Sequence, residues 1–309
     1  NLLVGTIDTW LIWNFTNGES HFTDVTNASR TMLYNINDDC WDDELLDLFK
    51  INKNILPDVK NCADDYGTID SSFFGEKIQI GGVAGDQQAA TIGQACFKEG
   101  MIKSTYGTGC FMLMNTGQNL ISSNSQLLST TAFNILGQKN FALEGSIFNA
   151  GTVVQWMRDE MNFVNEAYEI EDLAHKSQNK VQFVPAFTGL GAPYWKSNVR
   201  GQISGITRNT SKSDIALAAL KSICFQTRDL FECLLKDTAL NRNKFSLRVD
   251  GGMSKNNLMM QFLSNILQVK IERPVNQEST AVGAAYLAGI QSGMYKGVAD
   301  VEKLWKTDR

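Results

Sequence analysis

A single carboxylate in the segment GGVAGDQQAA, residues 81–90, has the surroundings of a residue that acts on a ligand. Asp86 follows the glycine-rich end of an apolar run and precedes the helix-forming run AATIGQACF. Ligands of open α/β sheets bind beyond the carboxyl ends of the strands. A carboxylate there can take a proton from a hydroxyl group, and the amide of Gln87 can hydrogen-bond other hydroxyl groups. The alternative is that Asp86 only caps the helix, whose dipole stabilises an acid at this position.

Three glycine-containing segments have the composition of turns that approach a phosphate or a nucleotide. YGTGCF places Thr108 between two glycines, although a plain hairpin turn has the same composition. NAGTVVQW has Gly151 at a helix start with Gln155 one turn later, and VDGGMSKNN offers Gly252 and Asn256 at another helix start. The sequence lacks both G-x-G-x-x-G and G-x-x-x-x-G-K-[ST], so the dinucleotide and P-loop types are excluded. The spacing therefore indicates a nucleotide site that faces a polyol site.

Strands that alternate with helices position these groups and predict an α/β fold. The run KIQIGGVAG, residues 77–85, predicts a buried strand that leads into the Asp86 helix. Residues 101–143 predict two hairpins, the second with its turn at Gly137-Gln138, so the sheet should be mixed. Strand-like segments also flank an Asn17-Gly18 turn. STAVGAAYLAGIQSG predicts a helix of small residues that can pack closely on a neighbour.

Composition narrows the classes of partner. The chain has 309 residues, a net charge of −5 and a pI of about 5.2, and it has no run of Lys and Arg, so we expect no nucleic-acid partner. The six cysteines are scattered without a CxxC pair, and only two histidines are present. We therefore expect neither a protein-bound metal nor disulfides. Free cysteines in turn indicate a cytoplasmic location. No run of 18 apolar residues occurs, so we expect no membrane insertion.

Long ordered motifs identify the chain by resemblance. They are GTIDTWLIW, GDQQAA, YGTGCFMLMNTG, PAFTGLGAPYW, RGQISGITR, QTRD, RVDGGMSKNN and STAVGAAYLAG. Together they resemble the glycerol kinases, which belong to the carbohydrate kinases with the actin/hexokinase-type (ribonuclease H-like) two-domain ATPase fold. The resemblance runs almost from the first residue to the last. GDQQAA with YGTGCFMLMNTG favours glycerol over xylulose or gluconate as the acceptor.

The resemblance implies transfer of phosphate from ATP to glycerol, giving sn-glycerol 3-phosphate and ADP with Mg2+ as cofactor. By motif match, Asp86 would be the general base, Gln87 would bind glycerol hydroxyl groups, and Phe111 would lie against the glycerol carbon chain. Thr108 would contact the phosphates. The remaining nucleotide contacts would come from Gly151, Gln155, Gly252 and Asn256. The protein would be a cytoplasmic homo-oligomer.

The resemblance also implies a domain division. Residues 1–92 would be the C-terminal part of the first, glycerol-binding domain, and residues 93–309 would be the second, nucleotide-binding domain. The family begins with a glycine- and threonine-rich phosphate hairpin that is absent here, so we expect the first domain to be truncated and this chain alone to be inactive. Two alternatives remain open, a kinase for another polyol or ketose of the same family and a non-catalytic actin-like nucleotide binder.

Overall fold

Helices and strands alternate along the chain in the computed structural model, which describes residues 2–240 and 246–309. The helices of these ranges are α1 Ile7–Phe15, α2 Val25–Ala28, α3 Asp43–Phe49, α4 Ser71–Phe74, α5 Asp86–Gly93, α6 Gly151–Asp159, α7 Ile170–His175, α8 Lys212–Thr238, α9 Asn257–Leu267, α10 Ser279–Gln291 and α11 Val298–Glu302. The strands are β1 Phe22–Asp24, β2 Tyr34–Asn35, β3 Cys40–Trp41, β4 Asp58–Lys60, β5 Thr68–Ile69, β6 Ile78–Gln79, β7 Ile102–Tyr106, β8 Cys110–Gly117, β9 Leu128–Ile135, β10 Gln138–Ile147, β11 Gln182–Val184, β12 Gln202–Ser204, β13 Ser246–Asp250 and β14 Lys270–Glu272.

A mixed sheet of six strands, in the order β14-β13-β7-β8-β10-β9, carries the larger part of the core. Strand β13 runs parallel to β14 and β7, whereas the neighbours β7, β8, β10 and β9 are antiparallel. The two predicted hairpins are therefore confirmed. The second turn is formed by Leu136 and Gly137, both with positive φ, and not by Gly137-Gln138. Two consecutive left-handed residues match the twist of a tight hairpin, which explains the shift of one residue.

Side chains of the central strands alternate between two apolar cores. Cys110, Met112 and Met114 of β8 point to a core that α6, α8 and α9 complete, whereas Leu113 points to a second core that includes residues of α5 and α10. Such alternation is what a strand buried on both faces requires. Helix α8 begins with a capping box between Ser211 and Asp214.

Helices α5 and α10 cross at two glycines without side chains between them. A Cβ atom on Gly93 would lie 1.9 Å from the carbonyl oxygen of Ser279, and one on Gly283 would lie 1.8 Å from the carbonyl oxygen of Ala89. The predicted close packing of the small-residue helix is therefore confirmed, and its partner is the helix that begins at Asp86. This contact fixes where the N terminus of α5 lies.

The prediction of a buried strand over residues 77–85 is wrong. Only Ile78–Gln79 forms a strand, paired with β5, and Ile78 is exposed. The glycines that follow approach α10, because a Cβ on Gly82 would lie 2.6 Å from the backbone nitrogen of Ala288. Beyond Gln79 the backbone still bonds to residues 62–67, through the N–H of Ile80 to the carbonyl oxygen of Gly67 and an isolated bridge between Gly82 and Ala63, but the pairing is too irregular to extend the strand.

The segment around Asn17-Gly18 also differs from the prediction. Residues 14 and 15 end α1, and the turn leads into β1, which pairs in parallel with β4. The strand-like letters before the turn are therefore helical. No helix in residues 2–240 or 246–309 is long and apolar enough to cross a membrane.

Candidate functional site

Asp86 is the first residue of α5, and Gly85 holds the N-cap position before it. The backbone N–H of Gly85 donates to Thr26 Oγ1 at 2.8 Å, which fixes the loop that precedes the helix. The Asp86 carboxylate is exposed and accepts hydrogen bonds from the Gln87 backbone N–H at 2.8 Å and from Gln87 Nε2 at 3.3 Å. The side chain is therefore not the N-cap that was its alternative role, and it is accessible to a ligand hydroxyl group.

The side chain beside Asp86 is anchored to the large sheet. Gln87 is half-buried, and its Oε1 accepts a hydrogen bond from the ammonium group of Lys103 on β7. The same ammonium donates to Thr105 Oγ1 at 3.1 Å. Thr105 pairs across the strands with Phe111, so Phe111 lies on the same face of the sheet as Lys103. The half-buried Phe111 ring thus offers an apolar surface on the α5 side of the sheet, where the sequence places the acceptor site.

A cavity of about 560 Å³ opens beyond the end of β7. It is lined by all five residues to which the sequence gives a nucleotide contact, namely Thr108, Gly151, Gln155, Gly252 and Asn256. These residues lie on three separate segments of the chain, the turn after β7, the first turns of α6, and the turn after β13. The structure thus brings them together, and their contact with a nucleotide stays a prediction.

The turn between β7 and β8 is bound to the start of α6. The backbone N–H of Gly151 donates to the carbonyl oxygen of Gly107 at 2.9 Å, and that of Ala150 donates to the carbonyl oxygen of Thr108 at 3.0 Å. The start of α6 is therefore occupied by the turn, so the expected open helix N terminus at Gly151 is not available to a phosphate. Because a trans peptide points its N–H away from its carbonyl group, the N–H groups of Thr108 and Gly109 face away from α6 and can serve as anion donors.

The turn after β13 requires a glycine at position 251, and the sequence argument missed this residue. Gly251 has φ +83°, and a Cβ there would lie 2.5 Å from the carbonyl oxygen of Tyr106. Gly252 has open space around it, as the floor of a site for a planar group needs. Asn256 is the N-cap of α9, and its Oδ1 accepts from the Met259 N–H at 2.8 Å. Its Nδ2 is the group left to face the cavity.

Charged, aromatic and apolar side chains that the sequence argument missed complete the cavity wall. They include Tyr106, Arg158, Tyr168, Met253 and Lys255. Tyr168 is exposed within the polar segment NEAYEIED, where an aromatic residue is the signal that could have found it. Arg158 pairs with Asp159 at 2.6 Å, and Glu166 and Glu171 add two carboxylates to the cavity lining.

A cysteine lies at the start of β8, directly after the turn. Burial raises the pKa of the Cys110 thiol to about 11, so this cysteine stays neutral beside the turn and acts as a small core residue. Within the described ranges no three His, Cys, Asp or Glu side chains converge as metal ligands. The site therefore offers an exposed carboxylate, Asp86, and a separate cavity whose turn has backbone N–H groups free to bind an anion.

Comparisons with known proteins agree with this arrangement. The chain is 53% identical to the glycerol kinase of Petrotoga mobilis over 309 residues, which cover 99% of this chain and 62% of that protein. Its fold resembles the crystal structure of Plasmodium falciparum glycerol kinase with ADP, with a TM-score of 0.88 and 41% identity over 98% of this chain and 60% of the other. A ligand-bound xylulose kinase from Lactobacillus acidophilus has a TM-score of 0.84 and 26% identity, covering 98% of this chain and 62% of the other.

Two family models match consecutive parts of the chain. The N-terminal domain of the FGGY family of carbohydrate kinases matches residues 2–93, and the C-terminal domain matches residues 102–292. The predicted α/β fold of the actin/hexokinase type is confirmed by these matches and by the solved sugar kinases. The chain spans 62% of the length of the curated relative. It belongs to the FGGY family of carbohydrate kinases.

Proposed function

We propose that this protein, at its full natural length, transfers the γ-phosphoryl group of ATP to glycerol, giving sn-glycerol 3-phosphate and ADP. One observation carries the proposal: a single strand, β7, connects the side chains of Asp86 and Gln87 to the cavity that can hold a nucleotide. Lys103 of β7 holds Gln87 beside Asp86, and Thr108 lines the cavity. The five residue steps between them span at most roughly 17 Å in an extended strand. An acceptor at Asp86 and a nucleotide in the cavity would thus be held by the same strand and the turn that follows it.

The acceptor side supplies a base, a hydrogen-bonding amide and an apolar wall. In the proposed step, a glycerol hydroxyl oxygen bonds to the γ-phosphorus, the bond from that phosphorus to the ADP oxygen breaks, and the hydroxyl proton passes to Asp86. Gln87 orients the glycerol hydroxyl groups, and Phe111 contacts the carbon chain. A loose, in-line transition state demands mainly position and charge stabilisation, which these fixed groups provide.

The nucleotide side supplies the groups that hold ATP. Thr108 contacts the phosphates, and Gly151, Gln155, Gly252 and Asn256 border the remainder of the nucleotide. Mg2+ would neutralise charge on the phosphate oxygens. The described residues form no protein-only cage for it, and Mg2+ in kinases is commonly bound through substrate phosphates with one or two carboxylates. We therefore propose that it enters as the ATP complex, and we assign it no protein ligand.

An acceptor panel tests the proposed substrate. The protein at its full natural length is assayed for ADP release with ATP, Mg2+ and either glycerol, other polyols, xylulose or gluconate. We expect kcat/KM for glycerol to exceed that for every other acceptor by about 100-fold or more, because an acceptor whose hydroxyl groups do not match Asp86 and Gln87 leaves polar groups of the site unpaired. A higher value for a ketose would move the substrate assignment. ADP binding without turnover of any acceptor would favour the non-catalytic alternative.

Substitution of Gly151 by alanine tests the nucleotide cavity. The added Cβ would lie 2.5 Å from the carbonyl oxygen of Gly107, a backbone atom that cannot rotate away. Helix α6 and the phosphate turn must then separate, so we expect the affinity for ADP, measured by calorimetry, to fall by about ten-fold or more, equivalent to roughly 1.4 kcal/mol.

The matched control is Gly137→Ala in the remote β9–β10 turn. This glycine has φ +78°, so alanine there is strained, yet it lies outside the cavity. We expect it to lower thermal stability and leave the dissociation constant of ADP unchanged. Equal ADP affinity of Gly151→Ala and the unsubstituted protein would remove the cavity from the proposal.

A further inference from the structure

We propose that Lys103 is a positioning residue of the acceptor site, whose buried ammonium group fixes the orientation of the Gln87 amide toward Asp86. The inference rests on the proposed function, and it assigns a role to a residue that no sequence motif singled out. The signal was present as one cation in the strand segment MIKSTY. Three features of the structure carry the argument: burial, hydrogen-bond direction and the absence of a closer carboxylate partner among the described residues.

Because Lys103 is buried, its charge depends on the side chains that accept its hydrogen bonds. The residue is 0% exposed, and lysine is almost never fully buried unless it is paired. Its side chain lies on the α5 face of β7, in register with Leu113 of β8 and Arg248 of β13. An ammonium group in such a place must donate to acceptors or lose its charge. Burial lowers the pKa of Lys103, and the carboxylates of Asp250, Glu144 and Asp86 act in the opposite direction.

The direct acceptors of Lys103 within the described residues are neutral side chains. Its Nζ donates to Gln87 Oε1 and to Thr105 Oγ1, the latter at 3.1 Å. Within the described residues no carboxylate lies in ion-pair distance of Lys103. Glu144 pairs with Arg30 at 2.9 Å, and Asp250 accepts from Gln94 Nε2 at 3.0 Å through one oxygen while its other oxygen is buried without a partner. Gln87 is thus the residue that connects the buried charge to the surface of the cleft.

The direction of these hydrogen bonds determines how Gln87 is oriented. An ammonium group has three donors and no acceptor, so it must face the amide oxygen and not the amide nitrogen. The Nε2 of Gln87 is therefore turned toward Asp86, whose Oδ2 it reaches at 3.3 Å. Reversal of the amide would set N–H groups against the ammonium group and remove a donor from Asp86. The charge on Lys103 thereby decides which group Gln87 presents at the acceptor site.

A lysine that served only the stability of the fold would behave differently on substitution. Its loss would lower the melting temperature without a selective effect on one substrate. A lysine that acts through Gln87 affects glycerol and not ATP, and its effect disappears once the Gln87 side chain is gone. Selectivity and non-additivity together separate the two roles.

The test is a double-mutant cycle in the protein at its full natural length, with Lys103→Met, Gln87→Ala and the double variant. We expect Lys103→Met to raise the KM for glycerol by about ten-fold or more and to change the KM for ATP by less than about two-fold. In the Gln87→Ala background, the same substitution should change the glycerol KM by less than about two-fold. Lys103→Arg keeps a donor-only cation and should recover much of the glycerol affinity.

Controls keep the result interpretable. Lys139→Met removes a largely buried lysine that pairs with Asp39 away from the cleft, and its glycerol KM should match that of the unsubstituted protein. If Lys103→Met does not fold, Lys103→Gln takes its place, because a neutral polar end is better tolerated and still permits the Gln87 amide to reverse. Full multiplication of the two effects, or equal changes in both KM values, would overturn the role of Lys103. Failure of the unsubstituted protein to phosphorylate glycerol would overturn the proposed function itself.

Discussion

Replacement of Asp86 by asparagine should lower kcat for glycerol by about 10²- to 10⁴-fold, the range that a positioned general base contributes. This loss corresponds to roughly 3–5 kcal/mol of transition-state stabilisation. The asparagine side chain keeps an oxygen to accept the Gln87 backbone N–H, a bond of 2.8 Å in the carboxylate, but it cannot take the hydroxyl proton. Asp86 does not line the nucleotide cavity, so the KM for ATP should stay within about two-fold.

The control for Asp86→Asn is Asp70→Asn, which removes a carboxylate from another helix start. Asp70 is the N-cap of α4 and accepts from the Ser72 N–H at 2.9 Å. Asparagine caps a helix about as well as aspartate, so we expect stability to change little and kcat to stay unchanged. Steady-state kinetics and ADP calorimetry on both variants make the comparison. If Asp86→Asn retained more than about a fifth of kcat, Asp86 would be a helix-end acid and not a base.

The second large effect is expected for Gly283→Ala at the crossing of α5 and α10. Helix propensity alone predicts a gain of roughly 1 kcal/mol, because alanine is a better helix former than glycine. The added Cβ would lie 1.8 Å from the carbonyl oxygen of Ala89, however, and a backbone atom cannot yield as a flexible side chain can. Overpacking costs about 1–3 kcal/mol and occasionally more, so we expect a net loss of about 3 kcal/mol at this backbone-to-backbone contact.

Thermal unfolding followed by circular dichroism measures the effect of Gly283→Ala. We expect Tm to fall by roughly 6 °C or more. The control is Ala281→Gly on the exposed side of α10, which changes helix propensity without steric contact and should cost about 1 kcal/mol. An unchanged or higher Tm for Gly283→Ala would mean that the helices do not approach as closely as the structure shows. Because α5 carries Asp86, the folded fraction of this variant should also lose glycerol turnover.

The sequence predicted most reliably those parts of the fold that local chemistry determines. The hairpins of residues 101–117 and 128–147 and the small-residue helix α10 follow from turn residues and periodicity. The motifs also placed the predicted nucleotide residues on segments that meet at one cavity. These features depend on neighbours close in the chain, or on motifs long enough to be specific.

The features that the sequence argument missed depend on distant contacts. The run at residues 77–85 has a strand-like composition, but the approach of Gly82 to Ala288 is a contact across more than 200 residues. The role of Lys103 arises from its meeting with Gln87 on another element, and Gly251 is required only because β13 ends beside Tyr106. The division into domains at residues 92 and 93, the cytoplasmic location and the homo-oligomeric state stay predictions.

The central claim is that phosphate passes from ATP to glycerol, and product stoichiometry tests it most directly. The protein at its full natural length is incubated with ATP, Mg2+ and glycerol, and both ADP and glycerol phosphate are quantified by ³¹P NMR. We expect one sn-glycerol 3-phosphate for each ADP formed, and almost no ADP when glycerol is left out. ADP and free phosphate in equal amounts, with no phosphorylated glycerol, would contradict the account.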